Sequence, residues 1–169
     1  MKKHEIDEIG SLLDESLVGK SCWFVGAGGT FAPSLILAFG NKIPRSRKLE
    51  NNAITKDFQE NRGETQLRVY CTWRLSGKST LCSSDDLDDL IVPCLQNVVN
   101  LKCIGASLIS EFGDALIAFE LGYCLYVFCD HVSDEASYSS NWEISRAGFG
   151  IFGVLAGCVP VTEKNTNEI

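Results

Sequence analysis

The run QLRVYCTWRL, residues 66–75, decides the fold class of this chain. Apolar and polar side chains alternate along it without interruption. The apolar set is Leu67, Val69, Cys71, Trp73 and Leu75, and the polar set is Gln66, Arg68, Tyr70, Thr72 and Arg74. Successive side chains of a β-strand point to opposite faces, so this period of two predicts a strand with one face buried.

The segments on either side of this run predict a mainly β protein. Short apolar strands between turn residues are expected at residues 21–25, 35–39, 98–104, 107–109, 115–120, 124–129 and 141–145, followed by a glycine-rich apolar segment at 149–161. Helices are expected over residues 6–17 and near residues 84–95. We therefore expect an α+β, mainly β fold. Its antiparallel meanders should pack as a sandwich or a curled sheet, with an exposed, partly disordered loop at about 44–64.

The second predicted helix carries a dense group of acidic residues. Ser84 is a candidate N-cap, and Pro93 should kink or end the helix. Leu87, Leu90 and Ile91 recur at helical spacing and are expected to face the core. Four carboxylates should then form an anionic face toward solvent: Asp85, Asp86, Asp88 and Asp89.

Composition narrows the class of protein. The chain has 169 residues, 45% of them apolar, and a net charge of -7, which argues against a general affinity for nucleic acid. The amino terminus lacks an apolar segment of signal-peptide length, so a soluble cytoplasmic protein without membrane contact is expected. The chain has eight cysteines, and a reducing compartment is expected. Five of the cysteines are interpreted as small buried hydrophobic residues: Cys22, Cys71, Cys94, Cys103 and Cys124.

Two parts of the chain resemble each other. The segment 35–39 with Gly40 is similar to the segment 115–119 with Gly122, and Cys22 precedes the first as Cys103 precedes the second. Each part also places one tryptophan in a later short strand, Trp73 and Trp142. The pattern predicts two similar β units, at about 20–75 and 95–160. Chance likeness between short apolar strands is the alternative.

Two glycine-containing motifs invite a nucleotide-binding interpretation that their surroundings do not support. The dinucleotide fingerprint needs a third glycine at the position where this chain has Phe31. The fingerprint also needs a helix after the glycines, whereas the following residues predict a strand. The segment 77–80 matches the last residues of the phosphate-binding loop motif, but the first glycine of that motif would fall at Thr72. We expect glycine turns at both places and no cofactor.

Metal binding and covalent catalysis have few candidates. Cys124, Cys129 and His131 lie close in sequence, but five residues along a strand send the two cysteines to opposite faces. Cys129 and His131 could share a face, yet no third group that would orient the pair is identifiable. We expect neither a metal site nor an enzyme.

A second acidic group lies between the last predicted strands. It comprises Asp130, Asp134, Glu135 and Glu143. Clusters of this kind can steer a cationic partner and accelerate its association, or they can form only a solvated surface. The sequence does not decide which of the two acidic groups is the better candidate.

The order of motifs in the second half resembles a family. A strand ending in Phe119-Glu120-Leu121-Gly122 leads to Leu125-Tyr126-Val127, an acidic turn, Trp142-Glu143-Ile144 and a glycine-rich close. This order is similar to that of small β-rich bacterial toxin-immunity proteins of the contact-dependent growth inhibition and polymorphic-toxin type. The likeness covers about residues 95–160 and, more loosely, 20–75. It departs from the family at Ser140-Asn141, where an aromatic-acid pair is usual.

The resemblance implies a protein that binds a cognate toxin domain and blocks its active site. A basic nuclease is the expected toxin, and the carboxylates of both acidic groups are the expected contacts. The alternatives are a small-ligand-binding or enzymatic β barrel with His131 or Cys129 in a closed pocket, and a structural module that pairs through its edge strands.

Overall fold

The chain folds into eleven strands and three helices within the residues that the structure describes. The computed structural model describes residues 3–28, 31, 34–52, 54–78, 81–130, 140–155 and 159–164, the last segment by its backbone alone. The helices are α1 (Lys3–Leu17), α2 (Lys56–Glu60) and α3 (Asp88–Leu95). The strands are β1 (Cys22–Gly26), β2 (Leu35–Pro44), β3 (Asn61–Val69), β4 (Thr72–Ser76), β5 (Leu81–Ser83), β6 (Cys103–Leu108), β7 (Ala115–Phe119), β8 (Cys124–Phe128), β9 (Ser140–Arg146), β10 (Gly150–Leu155) and β11 (Val159–Lys164).

The strands form two antiparallel sheets that share one core. The six-stranded sheet has the order β1-β2-β3-β9-β10-β11, and the five-stranded sheet has the order β5-β4-β8-β7-β6. One cluster of buried side chains takes residues from both, including Leu67 and Ile144 from the first and Leu75 and Leu125 from the second. The expected α+β, mainly β class with stacked antiparallel sheets is confirmed.

The run at 66–75 is two strands. β3 ends at Val69 and belongs to the six-stranded sheet, whereas β4 begins at Thr72 and belongs to the five-stranded sheet. The prediction of a single strand was therefore wrong. The alternation continues through the crossing because each sheet turns one face toward the shared core, so Val69 and Trp73 point into it from opposite sides.

The two sheets are built to the same plan from the two halves of the chain. Strands β1, β2 and β3 form a meander in one sheet, and β6, β7 and β8 form a meander in the other. Each half then crosses over and adds its next hairpin to the partner meander. The hairpin β4–β5 continues from β8, and the hairpin β9–β10 continues from β3.

Individual residues occupy equivalent places in the two sheets. Cys22 pairs with Phe39 next to a register shift, and Cys103 pairs with Phe119 next to a similar shift. The tryptophans are equivalent too, because Trp73 lies opposite Val127 of β8 and Trp142 lies opposite Val69 of β3. The segments matched in the sequence thus have the same neighbours in three dimensions.

Reciprocal hydrogen bonds join the halves where β1 and β6 begin. The Gly19 N–H donates to the Cys103 carbonyl at 2.9 Å, and the Asn100 N–H donates to the Cys22 carbonyl at 2.6 Å. Gly19 and Asn100 both have positive φ, 82° and 69°. Reciprocity of this kind is the mark of an approximate twofold relation. The rings of Phe39 and Phe119 also stack, 6.2 Å apart.

The predicted N-terminal helix is confirmed as α1. Its buried side chains Ile9, Leu13 and Leu17 recur every four residues and so lie on one face of the helix. This face packs on β6, which belongs to the other half of the chain. The helix ends before Gly19, whose positive φ suits a C-terminal glycine.

The segment at 44–64 is more ordered than an exposed loop. It contains α2, and β3 already begins at Asn61. The Thr55 hydroxyl caps α2 by accepting a hydrogen bond from the Phe58 N–H at 3.3 Å. Ile54 and Phe58 are buried against the outer face of the six-stranded sheet. These two isolated apolar residues anchor a polar segment, so the exposed part is shorter than expected.

Candidate functional site

The first acidic group lies around the start of α3. Asp86 accepts hydrogen bonds from the Ser83 N–H at 2.7 Å and from the Ser83 hydroxyl at 3.2 Å, which closes the turn after β5. Asp88 and Asp89 occupy the first turn of α3, where carboxylates interact favourably with the helix dipole. Among the described residues, Asp85 and Asp89 have no ion-pair partner.

Leucines that were expected inside lie on this same surface. Leu87 is 71% exposed and Leu90 is 58% exposed, so the prediction that they face the core was wrong. The helix begins at Asp88, not at Ser84, and Leu87 precedes it in an extended conformation. The phase of the helix then turns Ile91, Cys94 and Leu95 inward. Ser84 does not cap the helix, and Pro93 lies within it.

Exposed apolar and acidic side chains therefore form a mixed surface around α3, with Leu81 and Leu90 on one flank of the helix and Asp88 and Val92 on the other. We call it the α3 surface, and it consists of Leu81, Asp85, Leu87, Asp88, Asp89, Leu90 and Val92. Leu81, at 67% exposed, and Val92, at 46%, extend its apolar part beyond the two leucines. A surface that combines large exposed apolar side chains with charges differs from a merely solvated acidic helix face and is typical of interaction sites.

A disulfide bond holds α3 against β5. Cys82 and Cys94 are joined, with their Cα atoms 6.3 Å apart. Cys94 is buried, as expected, but its disulfide was not predicted, and Cys124, which was also expected to be buried, is only half-buried. Cys22, Cys71 and Cys103 are free and buried, as expected. Because the bond links strand and helix directly, Leu81 and Leu90 sit on a rigid support.

An apolar cleft of about 290 Å³ adjoins the α3 surface. Val92 and Leu95 of α3 form one wall, and Phe24, Phe31 and Ile54 contribute to the other. Asp88 is the one charged residue among the described residues that line it. A cation with an apolar stem, such as a lysine or arginine side chain, matches this lining because the stem can pack on the walls while the charge meets the carboxylate.

Gly26 and Gly28 make room for neighbouring side chains. A Cβ atom at Gly26 would come within 2.6 Å of the Phe31 ring, and one at Gly28 would overlap the Asp88 carboxylate. Gly28 also has a positive φ of 65°. In a dinucleotide fingerprint, the space beside such a glycine holds a pyrophosphate. At Gly28 this space holds the Asp88 carboxylate, which would repel a phosphate.

The second acidic group is less coherent. Asp130 follows β8 and accepts hydrogen bonds from the Thr72 hydroxyl and, at 3.3 Å, from the Thr72 N–H. Glu143 lies in the other sheet, where its carboxylate is 3.7 Å from Arg68 and 3.1 Å from the Tyr70 hydroxyl. Both residues thus have partners within the chain. Asp134 and Glu135 lie outside the described residues.

The candidate catalytic pair cannot be assembled from the described residues, because His131 lies outside them. Cys129 packs against the core, whereas Cys124 lies on the opposite side of β8. A hydrogen bond with Cys129, together with burial, raises the pKa of the Cys71 thiol, which opposes formation of a reactive thiolate. No group of three metal-ligating side chains occurs in the described part of the chain.

Comparison with known proteins returns nothing for this chain: no family model, curated protein or solved structure matches it. None of its described helices is long and apolar enough to cross a membrane.

Proposed function

We propose that this protein binds a cognate antibacterial toxin domain through the α3 surface and blocks the active site of that toxin. The observation that carries the proposal is the placement of exposed leucines among three aspartates around the start of α3, a helix that Ile91 and Leu95 anchor in the core. Apolar side chains at the centre of an interface supply most of the binding energy, and charges around them supply rate and selectivity. Neither acidic residues alone nor leucines alone would support this proposal.

The partner that fits best is basic. Asp85 and Asp89 are exposed and have no ion-pair partner among the described residues, so their negative charges are available to a basic partner. A nuclease must carry positive charge to hold phosphates, so these carboxylates can occupy the places of substrate phosphates. The cleft beside Asp88 would then receive one lysine or arginine of the toxin. Inhibition in this scheme is steric and electrostatic and needs no catalysis or cofactor.

The proposed compartment is the cytoplasm, where such a toxin would act. Thiols are kept reduced there, so Cys82 and Cys94 should be a dithiol in the cell and should join only after exposure to an oxidant. The α3 surface would be present in both states, because Ile91 and Leu95 anchor the helix in the core independently of the disulfide.

Coexpression with the neighbouring open reading frame tests the proposal. We expect a one-to-one complex with a basic protein whose activity is suppressed in the complex. Asp85→Lys combined with Asp89→Lys should slow association at least about tenfold at low salt, and Leu87→Ala combined with Leu90→Ala should mainly accelerate dissociation. Matched controls are Asp7→Lys with Glu8→Lys on the exposed side of α1, and Phe112→Ala, a change at a 57% exposed residue between β6 and β7.

The controls separate a specific interface from general charge and hydrophobicity. Equal losses for the control and test variants would remove the α3 surface from the interface. A complex that forms without suppressing the partner's activity, or the absence of any complex, would contradict the inhibitor function itself.

A further inference from the structure

The arginines of this acidic protein are concentrated in one region. The chain has six arginines, and four of them lie between residues 45 and 68: Arg45, Arg47, Arg62 and Arg68. This region is the outer face of the six-stranded sheet together with the connection from β2 to β3. Although the net charge of the chain is -7, it has a basic region, and this region lies on a different surface from the α3 surface.

An aromatic cluster forms the floor of this region. Phe58 of α2 stacks on Phe24 of β1, with ring centroids 3.7 Å apart and the planes inclined by 11°. Phe31 meets the edge of both rings, at 5.8 and 6.3 Å. Together with Ile54, these rings bury the outer face of β1 and β2 independently of the main core.

A cavity of about 350 Å³ opens over this cluster. Most of its described lining residues are apolar, and three are charged. The apolar lining residues are Phe31, Ile36, Leu49, Ile54 and Phe58; Asn51, Arg45, Arg68 and the exposed Glu50 complete the lining. Small-molecule sites have this size and this composition, an apolar pocket with a few oriented polar groups.

Arg45 is held in place with part of its guanidinium unused. Its Nε donates to the Phe58 carbonyl at 3.1 Å and to the Asn61 carbonyl at 3.0 Å, and its guanidinium lies 4.9 Å from the centre of the Phe58 ring. Its two Nη atoms have no hydrogen-bond acceptor among the described residues. Burial, and then the positive charges of Arg68 and Arg62, lower the pKa of Arg45. A bound anion would relieve this repulsion.

Arg68 provides the second cation of the cavity. Its side chain is 46% exposed, and its guanidinium is 3.7 Å from the Glu143 carboxylate, longer than a charge-assisted hydrogen bond. Arg47 and Arg62 line a neighbouring cavity of about 320 Å³ that also includes Arg45. Arg45 is thus the residue shared by the apolar cavity and the basic region beside it.

We propose that this cavity binds a small amphiphilic carboxylate, with the apolar tail over the Phe58 and Leu49 side chains and the carboxylate on the Nη atoms of Arg45 and the guanidinium of Arg68. Charge complementarity selects an anion, and the apolar walls select a tail. The cleft beside Asp88 shares Phe31 and Ile54 but carries a negative charge, so it would reject the same ligand. The site is independent of the toxin-binding proposal.

Titration with octanoate, followed by calorimetry and by methyl NMR, tests this inference on the full chain. We expect saturable binding that shifts methyl signals of Ile36, Leu49 and Ile54, whereas octanol, which lacks the charge, should bind at least about tenfold more weakly. Arg68→Gln should weaken octanoate binding about tenfold. Arg74→Gln is the matched control, because it removes the same charge from the other sheet and should leave affinity unchanged.

Two further variants keep the test decisive. Leu49→Trp should fill the cavity and abolish binding without touching a charge. Arg45→Met should weaken binding more than Arg68→Gln. If Arg45→Met unfolds the chain, because Arg45 contacts two backbone carbonyls, the exposed Arg68 still provides the test. Absence of saturable octanoate binding, equal binding of octanol, or equal effects of Arg68→Gln and Arg74→Gln would overturn the proposal.

Discussion

The two halves of the chain agree in their cores and differ at two places on their surfaces. The helix before the first meander, α1, buries three apolar residues and spans 15 residues, whereas α3, before the second, spans 8 and exposes Leu90, with the exposed Leu87 directly before it. The connection from β2 to β3 carries α2, Arg45 and Arg47, whereas the connection from β7 to β8 is the short turn Glu120–Gly122. Both proposed sites therefore lie where the halves diverge. Shared positions maintain the sandwich, and divergent ones are free to acquire a binding role.

The equivalent tryptophans should show the largest effect. Trp73 is 3% exposed and Trp142 is 1% exposed, so truncation of either to alanine should lower the free energy of unfolding by about 3–5 kcal/mol. Trp142 should cost somewhat more, because its Nε1 donates to the Gly113 carbonyl at 2.8 Å. Urea unfolding measures both losses. A nearly neutral change at one tryptophan, particularly with loss of partner binding, would instead make that residue an interface anchor and break the equivalence.

The disulfide is a feature of one half only, since Phe152 occupies in β10 the place that Cys82 occupies in β5. Reduction should lower stability by about 2–3 kcal/mol, because the bond closes a loop between residues 12 apart. Thermal unfolding with and without a reductant checks this. The double variant Cys82→Ala, Cys94→Ala serves as control and should be insensitive to the reductant. Alkylation of freshly lysed cells with mass spectrometry shows whether the pair is reduced in the cell, and a fully oxidised pair there would contradict the cytoplasmic proposal.

The reciprocal turns at Gly19 and Asn100 provide a smaller test of the same comparison. A Cβ atom at Gly19 would meet nothing within 4 Å, so Gly19→Ala isolates the cost of a left-handed backbone, about 1–2 kcal/mol. Gly19→Asn should cost less, since asparagine already serves at position 100. Chemical denaturation would separate the two variants. If alanine and asparagine cost the same, the similarity of the two turns would be only geometric.

The smallest expected effect concerns acid sensitivity. A hydrogen bond from Lys20 lowers the pKa of the Glu64 carboxyl, and their atoms lie 2.9 Å apart. A lowered folded-state pKa means that this pair stabilises the protein above the unfolded-state pKa of the glutamate and that the contribution disappears as pH falls through the folded-state pKa. Lys20→Met should raise the Glu64 pKa in carboxyl NMR titrations and remove less than about 1 kcal/mol near neutral pH. Lys48→Met, at the exposed pair with Glu60, should leave Glu64 unchanged.

Periodicity predicted the mainly β class, the N-terminal helix and most strands, but it could not reveal the crossing at Tyr70 and Cys71. A period of two is the same for one strand and for two strands that face a common core. The exposure of Leu87 had a similar cause, because helical spacing does not reveal where the helix begins. The arginine-lined cavity depends on Phe58 meeting Phe24, a contact between residues far apart in sequence. The likeness of the two halves was visible in sequence, whereas the exchange of hairpins between them was not.

The exchange of hairpins has a consequence for synthesis on the ribosome. β3 emerges early, yet its second neighbour in the sheet, β9, is translated only after nearly half of the chain has followed. Until β9 has been made, the edge of β3 that faces away from β2 carries unpaired amides and carbonyls. An exposed strand edge of this kind promotes aggregation. Neither sheet can be completed from one half of the chain, so a nascent or truncated chain ending before β9 should depend on chaperones. The late synthesis of the β9–β10 hairpin therefore sets how long the nascent chain exposes an edge that can aggregate.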